Sequence, residues 1–369
     1  MSTSPTPKAT APVGNGANVL AMSSIVRRTT TLALFALIVV ACTQCGGPSG
    51  PVDGGKAMAH VKAQVAFGSR PFGSEALGKT TDYLEGELKK LGLAPQRHEV
   101  MHEKEKKLIR NLYVQIDGDD PKAGPVLVIG AHYDTKVYAG CVEWKHSGPF
   151  LGAIDGGGGP AVLLELARVL KERTPKPKCN VWLYFIDAEE SITWEWNDEK
   201  ALLGSQAFCQ MLSDTKQLSR LKAFVLLDLI GSKNYKIDKD GNSDSRLQAL
   251  FATAAKEMGE SSRVYEFPTS QELDYYTSQG IKWGTKDDHN MFTRFGVPSV
   301  LLIDFARRVP PHLQNLKPGQ AAQIDPRFQQ WWHTDEDDLS AMDSDALAFA
   351  GNLVMQAFPA LEIHVLGKK

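Results

Sequence analysis

Residues 181–190 have the sequence Val-Trp-Leu-Tyr-Phe-Ile-Asp-Ala-Glu-Glu, in which an apolar run ends on two adjacent carboxylates. A run of this composition predicts a strand that is buried on both faces of a sheet. Neighbouring side chains of a strand point in different directions, so one carboxylate could hold a metal ion while the other moves protons. An isolated Glu-Glu pair more often belongs to a solvated loop. The meaning of Glu189 and Glu190 therefore depends on the rest of the chain.

Similar apolar runs recur from about residue 54 onward and alternate with amphipathic stretches. Strands are predicted at 109–116, 125–131, 180–187, 222–229 and 298–303. Helices are predicted at 79–92, 158–172, 203–212, 245–258, 289–295 and 343–357. This alternation, without an internal repeat, predicts one α/β domain. The long irregular stretches 191–202 and 304–332 stand out because long loops in compact domains are usually functional or disordered.

The composition is that of an ordinary globular protein. The 369 residues are 43% hydrophobic and 23% charged, with a formal net charge of −2. Apart from a short lysine cluster at 104–107, the chain has no basic run, and aromatic residues are not interleaved with basic ones. Nucleic acid is therefore excluded as an expected partner.

The first fifty residues are typical of an export signal. Arg27 and Arg28 precede an apolar stretch at 32–41, which is too short to span a bilayer and fits the core of a signal peptide. The end of this stretch, Val-Val-Ala-Cys42, resembles a bacterial lipobox, in which the cysteine carries the lipid. We expect a signal peptide with lipobox at 1–41, a lipid anchor and linker at 42–54, and a globular domain at 55–369.

This arrangement implies an exported lipoprotein, periplasmic or on the cell surface, that is tethered to a bacterial membrane only through Cys42. The alternative is a buried N-terminal helix that ends in a free thiol, and the true start of the chain is Met1 or Met22. Among the other cysteines, Cys141, Cys179 and Cys209 leave room for one disulfide with one thiol unpaired.

Acidic and histidine residues follow the predicted strands, at the edge where open α/β sheets place their active sites. The positions are His132, Asp155, Asp228, Asp287 to His289, and His333. Asp155 precedes a run of four glycines that opens a helix, so backbone can approach the site closely. Together with Glu190 and His333 it completes an N/O ligand set suited to zinc, with one position open for water or substrate.

Each of these residues also has a plainer interpretation. Asp228 lies inside an apolar run and could be a cap near a sheet edge, although a buried aspartate must be hydrogen-bonded, paired or metal-bound. Asp287 could be merely the N-cap of a short helix. A lone histidine such as His333 is more often structural.

The order His-Tyr-Asp at 132, Asp-Gly at 155, Glu-Glu at 189, Leu-Asp at 227, Asp-Asp-His at 287 and Trp-His-Thr at 332 resembles the M28 metallopeptidase superfamily. Within it, the chain most resembles glutaminyl cyclases over roughly residues 55–360. The resemblance implies a three-layer α/β/α fold around a twisted, mixed, mostly parallel sheet, as in zinc exopeptidases. It also implies one zinc per chain, held by Asp155, Glu190 and His333.

The resemblance further implies a reaction and its residues. Glu189 would be the acid and base, and Asp228 would share a proton with a hydrogen-bonded Asp287 and hold the substrate amide. The substrate pocket would be lined by Trp196, Phe328, Trp332 and Lys136. The product would be pyroglutamate, formed from the N-terminal glutamine of peptides or proteins with release of ammonia by a monomeric enzyme.

The sequence also departs from the family pattern. The loop after Glu190 carries an extra residue, so that counting forward selects Trp194 and counting back selects Trp196; we favour Trp196. The segment 305–330 is longer than in animal cyclases, and the cysteine pair that those enzymes carry beside the first motif is absent. A bacterial variant is implied.

Two other functions stay open. In the two-zinc aminopeptidases of the superfamily, residues matching His132 and Asp228 hold a second zinc and Asp155 bridges, and all of these residues are present here. Such an enzyme would bind two zincs and cleave the first peptide bond. A tethered binding protein without turnover is the third hypothesis, but it would predict a broken ligand set.

Overall fold

The computed structural model describes residues 50–280, 282–305 and 331–368. Within them the chain forms eight α-helices and six strands. The helices are α1 (Gly54–Val65), α2 (Glu75–Lys90), α3 (Gly158–Glu172), α4 (Leu203–Asp214), α5 (Ser245–Glu257), α6 (Ser270–Ser278), α7 (Asp288–Arg294) and α8 (Ser344–Val365). The strands are β1 (Gln96–His102), β2 (Lys107–Ile116), β3 (Val126–His132), β4 (Asn180–Ile186), β5 (Leu221–Asp228) and β6 (Ser299–Ile303).

The six strands form one sheet in the order β1-β2-β4-β3-β5-β6. Strand β3 pairs in parallel with β4 and β5, and β5 pairs in parallel with β6. Strand β2 runs antiparallel to both of its neighbours. The mixed, mostly parallel sheet confirms the expected fold class. From β3 the chain moves to β4 on one side and then to β5 on the other, which creates a crevice at the carboxyl ends of these strands.

Helices cover the sheet on both faces, which explains why the central strands are apolar throughout. Every residue of β3 and β4 is buried. Helices α3 and α8 pack against β3, and α1 and α5 pack against α8. From the other side, Phe208 of α4 stacks on Tyr184 at 4.2 Å between ring centroids, and Phe292 of α7 stacks on Phe224 at 3.9 Å. Strands buried in this way lose the alternation of a half-exposed strand.

Each predicted helix and strand occurs, with its ends shifted by up to eight residues. Helix α2 begins four residues before its predicted start because the hydroxyl of Ser74 accepts the N–H of Leu77 and caps the first turn. Helix α8 continues past its predicted end at residue 357 and through Pro359, because Leu361 and Val365 remain buried beyond the proline. By length and composition α8 could cross a membrane, but 72% of its most apolar window is buried in the fold, as in a core helix.

The packed chain begins slightly before residue 55, the predicted start of the domain. Val52 is buried, and its N–H donates to the side chain of Asn352 on α8 at 2.9 Å. Cys141, Cys179 and Cys209 are all free, so the disulfide that the sequence left open does not form among them. The predicted signal peptide, with Cys42, lies outside the described residues.

Candidate metal and catalytic site

The carboxyl ends of β3, β4 and β5 bring the predicted polar residues together. His132 is the last residue of β3, Asp228 is the last residue of β5, and Glu189 and Glu190 follow β4 by three and four residues. Because these strands are parallel neighbours, their ends meet at one edge of the sheet. The crevice at that edge is where an open α/β sheet places its ligand.

Asp155, Glu190 and His333 form one group of donors, with atoms that lie within 4.8 Å of one another. His333 Nε2 lies 3.1 Å from Glu190 Oε1 and 3.4 Å from Asp155 Oδ2. Burial alone would lower the pKa of His333, but the two carboxylates outweigh it and raise that pKa to about 9. The carboxylates thus concentrate negative charge around one nitrogen.

His132, Asp155 and Asp228 form a second group of the same kind. His132 Nε2 lies 2.9 Å from Asp228 Oδ1 and 3.2 Å from Asp155 Oδ1. Asp155 therefore belongs to both groups, with one oxygen directed to each histidine. A carboxylate in this position can bridge two cations or hold one.

The donors fit zinc. Two carboxylates and an imidazole are ligands that zinc takes in catalytic sites. Asp155 Oδ2 is buried and accepts no hydrogen bond from the described residues, as expected of an oxygen that binds a cation. Because both groups are complete, the ligand set is compatible with one ion or with two.

Backbone hydrogen bonds hold the donors in place. Asp134, two residues after His132, accepts the N–H of Glu189 at 3.1 Å and the N–H of Glu190 at 3.3 Å. Gly156 follows Asp155 with φ at +86°, and a Cβ there would lie 2.2 Å from the carbonyl oxygen of Asp134. Only glycine allows this close approach of the two loops.

Glu189 lies beside the donors and is almost completely buried, with 8% of its surface exposed. Burial raises the pKa of Glu189 well above its usual range, and the charges of Asp287, Glu190 and Asp288 raise it further against the opposing effect of His132. A carboxyl group that is held protonated in this way is suited to acid and base chemistry.

The proton that Asp228 and Asp287 are expected to share stays a prediction. Asp228 pairs with His132, and its Oδ1 also accepts the N–H of Leu229 at 2.7 Å. Asp287 caps α7, where its Oδ1 accepts the N–H of Asp288 at 2.6 Å, while its Oδ2 has no hydrogen-bond partner among the described residues. Burial raises the pKa of Asp287 well above its usual range, and Asp228 adds to this through its charge. Asp287 is thus the N-cap that its plain interpretation predicted, while its role toward Asp228 stays a prediction.

Of the residues predicted to bind substrate, Lys136 is buried and Trp196 is partly exposed. Lys136 is only 2% exposed; its ammonium donates to the carbonyl of Ser191 at 3.0 Å and lies 3.4 Å from Glu190. It therefore supports a metal donor from inside the protein. Trp196 is 37% exposed, and its Nε1 donates to Asp198.

Among the described residues, three aromatic rings lie beside the donor His333, those of Trp332, Trp194 and the buried Phe150, the last at 5.7 Å between centroids. Trp332 stacks on the ring of His333 at 4.0 Å between centroids, as its position in the sequence suggested. Trp194, which the alternative count selected, lies 5.9 Å from the same ring. Phe328 lies outside the described residues.

The sequence did not reveal that Arg70 and Asp337 belong to the support of the site. Arg70 is fully buried and donates to the carbonyls of Gly68, Tyr133, Leu151 and Gly152, at 2.7 to 3.2 Å. Asp337 accepts two backbone N–H groups in the loop of Asp155. An arginine is seldom buried, so the sequence did not suggest a buried position for Arg70. Its role is evident only from the carbonyls that it binds in the structure. Asp337 was visible as part of the acidic stretch after His333, but nothing in the sequence identified its partners.

Comparison with known proteins agrees with this geometry. Residues 111–358 match the model of peptidase family M28. Glutaminyl-peptide cyclotransferase of Drosophila melanogaster is 31% identical over 263 residues, which cover 67% of this chain and 64% of that protein. The protein of the same name from Dictyostelium discoideum is 26% identical over 249 residues, or 63% and 58% of the two chains. The chain thus spans about three fifths of the length of these relatives.

Among solved structures, glutaminyl cyclase of an Acidobacteriales bacterium superposes with a TM-score of 0.67. It is 26% identical, and the match covers 87% of this chain and 98% of that one. The family model covers more than half of the chain and contains all of the donors, Asp155, Glu190 and His333 as well as His132 and Asp228. The chain therefore belongs to peptidase family M28.

Proposed function

We propose that this protein is a zinc-dependent glutaminyl-peptide cyclotransferase, which converts the N-terminal glutamine of peptides into pyroglutamate and releases ammonia. One observation carries the proposal: the buried carboxyl group of Glu189 lies beside the zinc donors, and the rings of Trp194 and Trp332 both lie against the donor His333. The cyclotransferase names of the similar proteins support it.

Asp155, Glu190 and His333 would hold the metal. Zinc at these donors would polarise the side-chain amide carbonyl of the glutamine and, by its charge, lower the raised pKa of Glu189. The buried ammonium group of Lys136 lies 3.4 Å from the carboxylate of Glu190 and helps to hold it in position.

The reaction needs the glutamine to be folded back on itself. Its α-amine must reach its own side-chain amide carbon, so orientation supplies much of the rate. Trp194 and Trp332 offer flat apolar surfaces against which the glutamine methylenes can pack. Asp228 lies in the neighbouring group with His132 and Asp155, where its carboxyl group, close to that of Asp287, can hold the amide nitrogen.

Glu189 moves the protons. It accepts a proton from the attacking α-amine while the new C–N bond closes the five-membered ring. It then returns that proton to the amide nitrogen, whose bond to carbon breaks, and ammonia leaves. No proton is gained or lost overall, so a single carboxyl group suffices for both transfers.

An ammonia assay tests the proposal. The purified protein, depleted of metal and reloaded with zinc, is incubated with a Gln-initiated peptide and with an Ala-initiated peptide of the same length. We expect ammonia from the first peptide only, and only after zinc is added. Release of free alanine or glutamine without ammonia would refute the cyclotransferase.

The second donor group supports one alternative, a two-zinc aminopeptidase. His132, Asp155 and Asp228 are complete and close enough to hold a second ion. In that enzyme Glu189 would activate a water molecule, and the first peptide bond would be cleaved. The metal content decides: the cyclotransferase predicts one tightly held zinc per chain, and the aminopeptidase predicts two.

We also propose that the protein is exported and tethered to a bacterial membrane through Cys42. The proposal is supported by the basic pair, the short apolar stretch and the lipobox-like sequence before Cys42. Cell fractionation tests it, since the variant Cys42→Ser should lose the lipid and leave the membrane fraction. Equal membrane retention of both forms would contradict it.

A further inference from the structure

A second aromatic surface continues outward from the metal donors. Trp194 lies 5.9 Å from the ring of His333, Trp144 lies 6.1 Å from Trp194, and Tyr138 lies 4.8 Å from Trp144. All three side chains are half-buried, so each keeps part of its surface open to solvent. We call Tyr138, Trp144 and Trp194 the aromatic ledge.

The ledge is built from two loops that follow different strands. Trp194 belongs to the loop after Glu190, whereas Tyr138 and Trp144 belong to the loop that leads from β3 to Asp155. Trp144 meets Trp194 edge to face, at an angle of 72°, which is a favoured geometry for aromatic rings. The contact joins the two loops into one wall beside the site.

The segment after His333 contacts the loop that carries Trp144 and holds it in position. Asp335 accepts the N–H of Gly148 at 2.9 Å, and its other oxygen lies 3.0 Å from His146 Nδ1. The ring of His146 in turn lies 4.7 Å from that of Trp144. Asp335 is only two residues from a metal donor, so the position of the ledge is fixed relative to the metal site.

The order of the rings matches a peptide that leaves the site in extended form. An extended chain advances about 3.3 Å per residue, so the backbone of the residue after the glutamine stays near Trp194, and only a long side chain on that residue extends toward Trp144, 6.1 Å further on. The aromatic rings there are already ordered by mutual packing, and little conformational entropy is lost when a side chain binds them. Their exposed surface is apolar, so it favours a partner that is itself large and apolar.

We propose that the aromatic ledge is a second peptide subsite, which binds a large apolar or aromatic side chain directly after the N-terminal glutamine. This inference rests on the proposed cyclotransferase function and extends it to the substrate class. The ledge thereby selects among Gln-initiated peptides, while the metal donors and Glu189 act on the glutamine itself.

A matched pair of peptides tests the subsite. Gln-Phe-Ala-Ala and Gln-Gly-Ala-Ala are compared by kcat/KM for ammonia release. We expect a preference of about tenfold for the phenylalanine peptide, the effect of roughly 1.4 kcal/mol of apolar contact. Trp144→Ala should reduce the ratio to about one or two. Ammonia release at equal kcat/KM from both peptides would overturn the subsite and leave the cyclotransferase intact.

The control is Trp283→Ala. Trp283 packs in a separate aromatic cluster, 5.2 Å from Phe267 and 5.1 Å from Tyr276, and should leave the ratio of the two peptides at its original value. An equal loss of preference in this variant would mean that Trp144→Ala acts through general destabilisation, and it would overturn the assignment.

A binding measurement keeps the subsite testable if neither peptide releases ammonia, an outcome that would refute the cyclotransferase. The dissociation constants of pyroglutamyl-Phe-Ala and pyroglutamyl-Gly-Ala are measured by calorimetry with zinc-loaded protein. The ledge predicts that the first binds about tenfold more tightly and that Trp144→Ala removes the difference. Equal dissociation constants in the unaltered protein would refute the subsite.

Discussion

Asp337 accepts the backbone N–H of Asp155 at 3.1 Å, although 182 positions separate the two residues. Its second oxygen accepts the N–H of Ile154 at 2.7 Å. Because Asp337 follows His333 by four residues, this contact ties the loops of two metal donors to each other. Burial, together with the charge of Asp155, raises the pKa of Asp337 to about 8, against the effect of the two N–H donors.

The first prediction concerns this tie. Asp337→Asn keeps the shape of the side chain but turns one acceptor into a donor that faces an N–H group. We expect zinc affinity to fall about 10- to 100-fold, as is typical when a residue that orients a metal ligand is changed. Competition with a chelator measures the affinity. Asp338→Asn, at the neighbouring position, is the control and should bind zinc normally.

The second prediction concerns Glu189. Glu189→Gln should lower the rate of ammonia release by about 10²- to 10⁴-fold while zinc stays bound, because the donors themselves are unchanged. Glu195→Gln, on the exposed part of the same loop, is the control. Steady-state kinetics and metal analysis are measured on the same preparations. Near-full activity in Glu189→Gln would eliminate it as the proton carrier.

The third prediction distinguishes the two tryptophans of the loop. Trp194→Ala should raise KM and lower kcat for Gln-initiated peptides, because it removes the ring that lies against His333. Trp196→Ala should change either constant by less than about twofold, as expected of a surface substitution. A larger effect of Trp196→Ala would restore the interpretation that the sequence favoured.

The fourth prediction concerns Arg70 and stability. A lysine at this position cannot reach the four carbonyls that the guanidinium binds, so Arg70→Lys should lower the free energy of unfolding by about 2–4 kcal/mol. Arg246→Lys, at an exposed arginine, should change it by less than about 0.5 kcal/mol. Urea unfolding of the zinc-free proteins measures both. A similar small change in the two variants would contradict the structural role of Arg70.

The fifth prediction concerns pH. Burial alone would raise the pKa of Asp240, but hydrogen bonds from His289, the N–H of Thr285 and Ser243 outweigh it, so the pKa lies below its ordinary value of 3.8. A depressed carboxylate pKa stabilises the fold above the pKa of the unfolded chain, and this contribution is lost as the pH falls through the folded pKa.

Asp240→Asn should therefore have a lower free energy of unfolding than the unaltered protein at pH 6. The difference between the two free energies should narrow as the pH falls below about 4. Urea unfolding at a series of pH values measures it. A gap that stays constant down to pH 3 would show that Asp240 contributes no pH-dependent stability.

The sequence predicted the central strands because burial on both faces of the sheet leaves a continuous apolar run. It predicted most of the helices from their amphipathic pattern. It missed β1, since Gln96–His102 is a polar and mostly exposed edge strand with no apolar period. It also missed α1 and α6. In α1 the two glycines at the start, next to a glycine-rich linker, hide the helix.

The grouping of the acidic and histidine side chains could be predicted because they follow neighbouring parallel strands, whose ends meet at one edge of the sheet. The surrounding side chains could not, since their roles depend on distances that residue types do not encode. Lys136 turned inward to Ser191 and Glu190. For the loop after Glu190, counting residues could not decide which tryptophan faces the site, because an insertion can be placed on either side of Trp194.

The central claim is cyclisation in place of cleavage, and mass spectrometry of one reaction tests it most directly. A peptide with N-terminal glutamine and a large apolar second residue is incubated with the zinc-loaded protein, and Glu189→Gln serves as the blank. The account predicts an otherwise intact peptide that has lost one ammonia and has a blocked N-terminus. A peptide shortened by its first residue, with free glutamine in solution, would contradict it.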